Sequence, residues 1–331
     1  MINDAQRTAS PVMVVIAFAI VYIVWGSTYF FIQKAIASFP PMLLGAIRFI
    51  IAGGLLMAWC AIRGEKLWNW QQIKTAAISG LLMLGVGNGG VIWAEQTLPS
   101  SLVAVLVSSA PIWFVLLDTP KWKENFSSRS TLIGLVVGFI GVILLFSEQA
   151  TAALGKGNSV QVIGLIILIL AAMSWAGGSL FSKYKSSGSA TTNTAWQMMA
   201  AGLAFLPGSF INNEWSGFEL SEVTGSSWFA VIYLITMGSL AGFSAYVWLL
   251  QVRPATQVST YAYVNPVVAV LLGVLFAGEH MTFLQILGLA VILTSVLLIN
   301  LAKYRSEKPT VQNIDIKKNR IITGARRKVT F

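Results

Sequence analysis

The side chains of this 331-residue chain that are equipped to touch a solute are few, and they recur near the centres of long apolar runs. Trp25-Gly26-Ser27-Thr28 interrupts the first such run, and Trp175-Ala176-Gly177-Gly178 interrupts a later one. A tryptophan offers a broad apolar wall and one N–H donor, while small neighbours leave room beside it or let helices approach. That combination suits an amphiphilic, aromatic or aliphatic solute. The competing reading for Gly26, Ser27, Gly177 and Gly178 is close helix packing, with Ser27 and Thr28 bonded back to their own helix. Ser108 stands just before Pro111, and Tyr261, Tyr263 and Asn265 stand just before Pro266. Tyr261 and Asn265 are four apart, so on a helix they share a face where a phenol and an amide can both hydrogen-bond a solute. Alternatively, Asn265 bonds a backbone carbonyl freed by a proline. Pro111 and Pro266 each remove a backbone donor and are expected to kink their helices. Asn88 lies in the glycine-rich stretch Gly85 to Gly90, with Trp93 beyond it, and the matching stretch of the second half carries Ser244 and Tyr246. With Gln197, the candidate substrate cavity is therefore Trp25, Ser27, Thr28, Asn88, Trp93, Ser108, Trp175, Gly178, Gln197, Ser244, Tyr246, Tyr261 and Asn265.

One full charge, Arg48, lies inside an apolar run. Unpaired at mid-depth in a bilayer it costs at least about 2.5 to 3.5 kcal/mol, so it is expected either to snorkel outward or to pair with Glu95 as part of an outer gate. No Asp or Glu lies near the middle of any run, and the single histidine, His280, falls in a break, so no midplane proton relay is visible. Facilitated export fits that pattern better than obligate proton antiport. There is no GxxxxGK[ST] phosphate loop, no HExxH and no cysteine cluster, so neither a direct ATPase, a metal site nor a cofactor is expected. An intramembrane enzyme lacks its nucleophile–base pair.

The elements that must carry these residues follow from composition. The chain is 56% hydrophobic and 10% charged, with a mean hydropathy of +0.74, against about a quarter charged in a soluble domain. A bilayer core of about 30 Å takes about 20 apolar residues per helix. Ten such spans are expected, at 11–36, 41–62, 75–95, 99–118, 130–147, 160–182, 192–211, 227–250, 255–277 and 281–302. The first is too long, and ends too polar, for a cleaved signal peptide. When the breaks are assigned alternately to the two sides, nineteen of the 22 Lys and Arg fall on one side and only Lys34 and Lys156 on the other. Both termini are therefore expected in the cytoplasm, and the net charge of +10 reads as a topology signal and not as nucleic-acid binding. The basic tail 303–331 reads as an extension reinforcing orientation, or as a patch for anionic lipid. Cys60 is the only cysteine, and is expected to serve packing.

The halves repeat. Trp25 and Phe31 answer Trp175 and Phe181 at an offset of 150; Ala52-Gly53 answers Ala201-Gly202 at 149; Gly87, Trp93, Gln96, Pro111 and Glu124 answer Gly242, Trp248, Gln251, Pro266 and Glu279 at 155. Five spans per copy is an odd number, so the second copy enters from the opposite side. Inverted repeats give two similar conformations, one open to each side. A Gly134-xxx-Gly138 face suits internal packing better than dimerisation, though a homo-oligomer remains an expectation of the runner-up kind.

WGSTYF, the arginine in GAIRF, LLMLGVGNGGVIWAEQTLPSSLVAVLVSSAP and YAYVNPVVAVLLGVLFAGE together resemble the EamA family of the drug/metabolite transporter superfamily, over about residues 11 to 302. The resemblance implies an all-α integral membrane protein of ten helices, with one EamA repeat at 11–147 and a second at 160–302. A short N-terminal segment, 1–10, and the tail 303–331 flank them. It implies a central cavity walled by the first, third and fourth helices of each repeat. It also implies residence in the inner membrane of a prokaryote and export of amino acids, related metabolites or drug-like compounds, the partners being a small organic solute and the bilayer. The first repeat carries DTPKWKE where such repeats often end in a small-residue GE motif, and only Ala277-Gly278-Glu279 keeps that form. A nucleotide-sugar or phosphate-ester antiporter is the alternative, and would need Lys or Arg facing the cavity. A receptor that binds without translocating is the alternative from another class.

Overall fold

The computed structural model describes residues 9–94, 96, 98, 103, 106–154, 159–277 and 282–307. The described residues are helical and turn structure without strands, and helix occupies part or all of each of the ten expected spans. We name them α1 (Pro11–Ile36), α2 (Pro41–Ile62), α3 (Trp70–Ala94), α4 (Ala110–Leu117), α5 (Arg129–Leu154), α6 (Ser159–Lys185), α7 (Ala190–Ile211), α8 (Gly225–Val252), α9 (Tyr261–Ala277) and α10 (Phe283–Glu307). Five segments, namely α1, α2, α3, Ile163–Lys185 of α6, and α8, are long and apolar enough to cross a bilayer unaided. α7 opens on the polar run ATTNT, and α9 has 17 residues, so length and apolarity alone do not single them out. Helical winding pairs most of the backbone within each segment, as hydrocarbon demands.

Local chemistry sets the boundaries. Pro11 and Pro41 open α1 and α2, at the position where a missing N–H costs nothing. Asn69 caps α3 by accepting from the amides of Gln71 and Gln72, so that helix starts five residues before the apolar run does. Pro111 sits at the first turn of α4, directly after a turn at Ser108–Ser109 that separates it from helical residues 106–107, so the interruption of the span falls just ahead of the proline. Pro266 does lie inside α9, and the carbonyl its missing N–H leaves free, that of Ala262, accepts 2.8 Å from Ser108 Oγ of the other repeat. Ser108 is thus a backbone partner, the role the sequence reading offered to Asn265.

The two repeats pack by mutual exchange. α2 runs along α7, and α5 along α10, as the most extensive helix pairs; α1 lies against α8 and α9, and its counterpart α6 against α3 and α4. The α2–α7 pair is tied reciprocally at both ends. Glu214, just after α7, accepts from the Met42 and Leu43 amides at the start of α2, at 3.2 and 2.8 Å. Glu65, just after α2 and 149 residues earlier, accepts from Thr192 Oγ1 in the first turn of α7, at 2.7 Å. Each helix therefore carries, beyond its own C-terminus, the carboxylate that its partner's electropositive N-terminus needs. Hydrogen bonds from Ser189 and Thr192 hold the Glu65 carboxyl below the ordinary glutamate value.

Candidate functional site

Both α3 and α8 change winding at their middle, becoming π-helical over Leu81–Asn88 and Leu234–Phe243. π-helical turns widen the helix and cluster at functional sites. Here each faces the tryptophan of the opposite repeat: Gly87 approaches Trp175 and Gly242 approaches Trp25 so closely that a Cβ would lie 3.2 and 2.6 Å from the ring's atoms or stem. Trp25 Nε1 donates to the Gly238 carbonyl within that π-helical stretch, at 3.1 Å.

These contacts assemble an aromatic cluster from both halves. The Trp25 and Trp175 rings meet edge to face with centroids 5.5 Å apart, Tyr246 lies 4.9 Å from Trp25, and Tyr261 lies 5.0 Å from Trp25 and 5.5 Å from Tyr246. Polar tips are paired inside it. Trp175 Nε1 donates to Tyr246 Oη at 3.1 Å, and that hydroxyl shares a 2.6 Å bond with Ser179 Oγ.

Against this cluster lies a cavity of about 90 Å3. α1 contributes Trp25, Thr28, Tyr29 and Ile32, and α2 contributes Arg48 and Phe49; Asn88, Trp175, Gly238, Tyr261 and Asn265 come from α3, α6, α8 and α9. Its wall climbs α1 from Trp25 toward the C-terminal end, about 10 Å at 1.5 Å per residue. On the other side of the aromatic cluster, toward the N-terminal end of α1, the helices are bound together. Tyr22 Oη and Thr260 Oγ1 are 2.6 Å apart; Lys183 Nζ donates to the Leu250 carbonyl and, at 2.7 Å, to that of Arg253 at the end of α8; Tyr184 Oη donates to Asp118 Oδ1 at 2.6 Å. A lysine over a helix C-terminus satisfies carbonyls that have no partner in the helix.

Of the residues singled out in the sequence, Trp25, Thr28, Asn88, Trp175, Tyr261, Asn265 and Arg48 come together on the cavity wall. Tyr246 stands behind them in the aromatic cluster. Others sit in packing. Gly178 fits against Leu82 and Met83 of α3, with 2.7 Å for a Cβ. Gln197 Nε2 donates to Ser79 and Ser182, both at 2.9 Å, between helices. Ser27 Oγ bonds the Val24 carbonyl and Tyr233 Oη, Trp93 packs in a separate cluster with Ala94 and Leu98, and Ser244 Oγ is buried away from the cavity wall. Arg48 is not at the surface. It is buried, donates from Nε to Ser239 Oγ at 2.8 Å, and lies 4.9 Å over the Phe49 ring. Glu95, its expected partner, lies outside the described residues, as do Gly278 and Glu279. Tyr29 and Phe49 are cavity residues that the sequence reading passed over; Tyr29 is four residues from Trp25 and therefore on its face, which was the available signal.

A multi-pass helical membrane protein with a cavity walled by both of its repeats is the class this architecture defines. The EamA-like transporter family matches residues 12–147 and 162–301, and the chain belongs to that family. It is 37% identical over 289 residues to the uncharacterized inner membrane transporter YedA of Escherichia coli K12, covering 86% of this chain and 89% of that protein. It is 27% identical to the uncharacterized transporter YvbV of Bacillus subtilis, covering 90% and 95%, and 27% identical to protein PecM of Dickeya dadantii, covering 88% and 94%. A solved crystal structure shares the fold at a TM-score of 0.73 and 18% identity, over 90% of this chain and 100% of that one. The chain is a membrane transporter of this type.

Proposed function

We propose that the protein exports small organic solutes across the cytoplasmic membrane by alternating access, with both termini in the cytoplasm, and that the structure is its outward-facing state. The observation that carries this is an asymmetry between equivalent positions. Lys183 clamps the end of α8 on the side of the termini, whereas Gln33, its counterpart at the offset of 150, is exposed, and Lys34 beside it lies 4.7 Å over the Phe30 ring. The cavity extends along α1 toward the Lys34 side. A cavity that reaches past the aromatic cluster on one side only is what exchanging the roles of two inverted halves requires, although Ser227 Oγ at the start of α8 still bonds the Lys34 carbonyl at 2.8 Å on that side. The walls are aromatic and apolar with few polar groups, as in sites that select by shape and a small number of hydrogen bonds. About 90 Å3 is well below the 300 Å3 or more of typical ligand sites, so loading a solute needs the wall around Tyr29 and Ile32 to widen. Among the described residues Arg48 is the only charged one on the wall, one cation where a phosphate ester calls for several.

The test is efflux from proteoliposomes loaded in parallel with labelled aliphatic and aromatic amino acids and a cationic dye, with and without an imposed pH gradient. Flux that persists without the gradient and falls on Trp25→Ala supports a uniporting exporter. Flux that needs the gradient calls for a proton carrier, and absence of flux for every solute defeats the reading.

A further inference from the structure

Arg48 has no partner that its environment would lead one to expect. A guanidinium carries five N–H donors. Its Nε is used by Ser239, Phe49 supports its face, and among the described residues no carboxylate lies within ion-pair distance. Nη2 packs against Gly238, within 3.0 Å of where a Cβ would be, so the missing side chain is what lets the guanidinium turn inward onto the cavity wall. Two amide oxygens of the same cavity wall, Asn88 Oδ1 and Asn265 Oδ1, are buried without a hydrogen-bond partner. Buried polar groups are almost always satisfied, and a buried cation costs more than either amide when it is left alone. A guanidinium held at Nε, whose two terminal nitrogens have no ion-pair partner among the described residues, can bind a carboxylate with two parallel bonds from that end.

We propose that Arg48 is the carboxylate anchor of the cavity, and that the transported solute carries one carboxylate on an apolar, preferably aromatic, body that fills the Trp25–Trp175–Tyr261 wall. Ser239 is its positioning residue, and Asn88 and Asn265 take a donor group on the same solute where one is present. The inference rests on the reading that this cavity carries solute, but its test is separate. It also gives Arg48 a role different from that of a gate residue: its charge is completed by cargo and left open without it.

The experiment measures binding of three labelled probes to the purified full-length protein at pH 7: 3-phenylpropionate, L-phenylalanine and 2-phenylethylamine. They share the ring and differ in carrying the carboxylate alone, both charges, or the ammonium alone. Both carboxylates are expected to bind at least about ten-fold tighter than the amine, as a charge-assisted bidentate contact implies. Arg48→Met is expected to abolish the difference with a melting temperature equal to or above that of the wild type, because it removes a buried, unpaired charge. Arg48→Lys keeps the charge and loses the fork, and should weaken both carboxylates about ten-fold with the amine unchanged. Equal binding of amine and acid by the wild type overturns the proposal. So does an Arg48→Met variant that melts lower and loses all three probes alike, which marks a structural arginine. Binding of none of the three by the wild type also overturns it, while the transport reading is then decided by the efflux screen alone.

Discussion

Gly242→Ala is the substitution that most directly tests whether the opposed tryptophans form the wall of a working site. A Cβ at 242 would stand 2.6 Å from Trp25 Nε1 and 2.9 Å from Cδ1, so reaching an ordinary contact of 3.4 Å requires the indole to retreat by about 0.8 Å. The ring has nowhere inexpensive to go. Tyr246, Tyr261 and Trp175 surround it at centroid distances of 4.9, 5.0 and 5.5 Å, and moving it stretches the 3.1 Å bond to the Gly238 carbonyl. Overpacking of this kind costs about 1 to 3 kcal/mol, and the lost bond about 1 more. Alanine returns about 1 kcal/mol of helix propensity, leaving a net destabilisation of about 2 kcal/mol. Gly85→Ala lies in the corresponding π-helical stretch of α3 and would meet nothing closer than 3.8 Å, so it keeps only the propensity gain. Thermal melting in detergent together with efflux from proteoliposomes reads both effects. Gly242→Ala should melt lower and carry solute several-fold more slowly, with Gly85→Ala at or above wild type in both. A Gly242→Ala protein that matches wild type in melting and flux would show that Trp25 is free to move, and would remove the basis for calling it a cavity wall.

Tyr246→Phe takes away the acceptor of Trp175 Nε1 and the partner of Ser179 Oγ in a buried setting. It should cost about 1 to 3 kcal/mol, seen as a lower melting temperature. Glu214→Gln weakens the carboxylate cap of α2 and should lower stability by about 0.5 to 1 kcal/mol, with Met42 and Leu43 amides exchanging hydrogen faster. The melting advantage of wild type over Glu65→Gln should be complete above about pH 4.5 and shrink as pH falls through the depressed folded value, since a lowered carboxyl pKa stabilises only while the group is ionised; an advantage that grows on acidification contradicts the assignment. In a Cys60→Ser background, Ala172→Cys on the cavity wall should react with a membrane-impermeant thiol reagent from outside, and adding Lys183→Met should slow that labelling and hasten it from the cytoplasmic side.

The periodicity of apolar runs located α1 and α2 to the residue, because prolines mark their starts and polar turns their ends. It placed α3 five residues late, because the Asn69 cap and a polar first turn precede the apolar run. The repeat offsets made it evident that Trp25 and Trp175 are equivalent, and depth along the helix put them near the centre. Which way a side chain turns was less legible. Arg48 gave the sequence only the fact of a charge in a span, and a carboxylate outside the membrane was its natural partner; the structure turns it inward because Ser239 and the side-chain-free edge of Gly238 receive it. Gly178 and Ser27 resemble their neighbours in type but sit on the packed side of the helix. The π-helical turns leave no trace in hydrophobic period, because widening a helix by one residue per turn over one or two turns shifts no pattern that composition can show.

The same residues also explain why a duplicated chain needs imperfect symmetry. The exchange of tryptophans against π-helical glycines and the exchange of glutamates against helix starts are close to reciprocal, Glu65 with Glu214 and Gly87 with Gly242. On the alternating-access reading proposed above, reciprocal contacts can persist when the halves trade places, which would keep α2 and α7 together as a fixed pair. On that reading, function enters where reciprocity fails: at Lys183 and Gln33, which are equivalent in the repeat and different in residue type, and at Ser108, whose bond to the carbonyl freed by Pro266 has no counterpart at Tyr263, which donates instead to Leu135. A ligand that shifts the balance must contact the two states differently. Arg48 is on α2, in the fixed pair, while Ser239 and Gly238 are on α8, whose end Lys183 holds. On the same reading, a carboxylate on Arg48 sits between α2 and the clamped α8, where a bound solute would gain the differential contact that a shift between states requires.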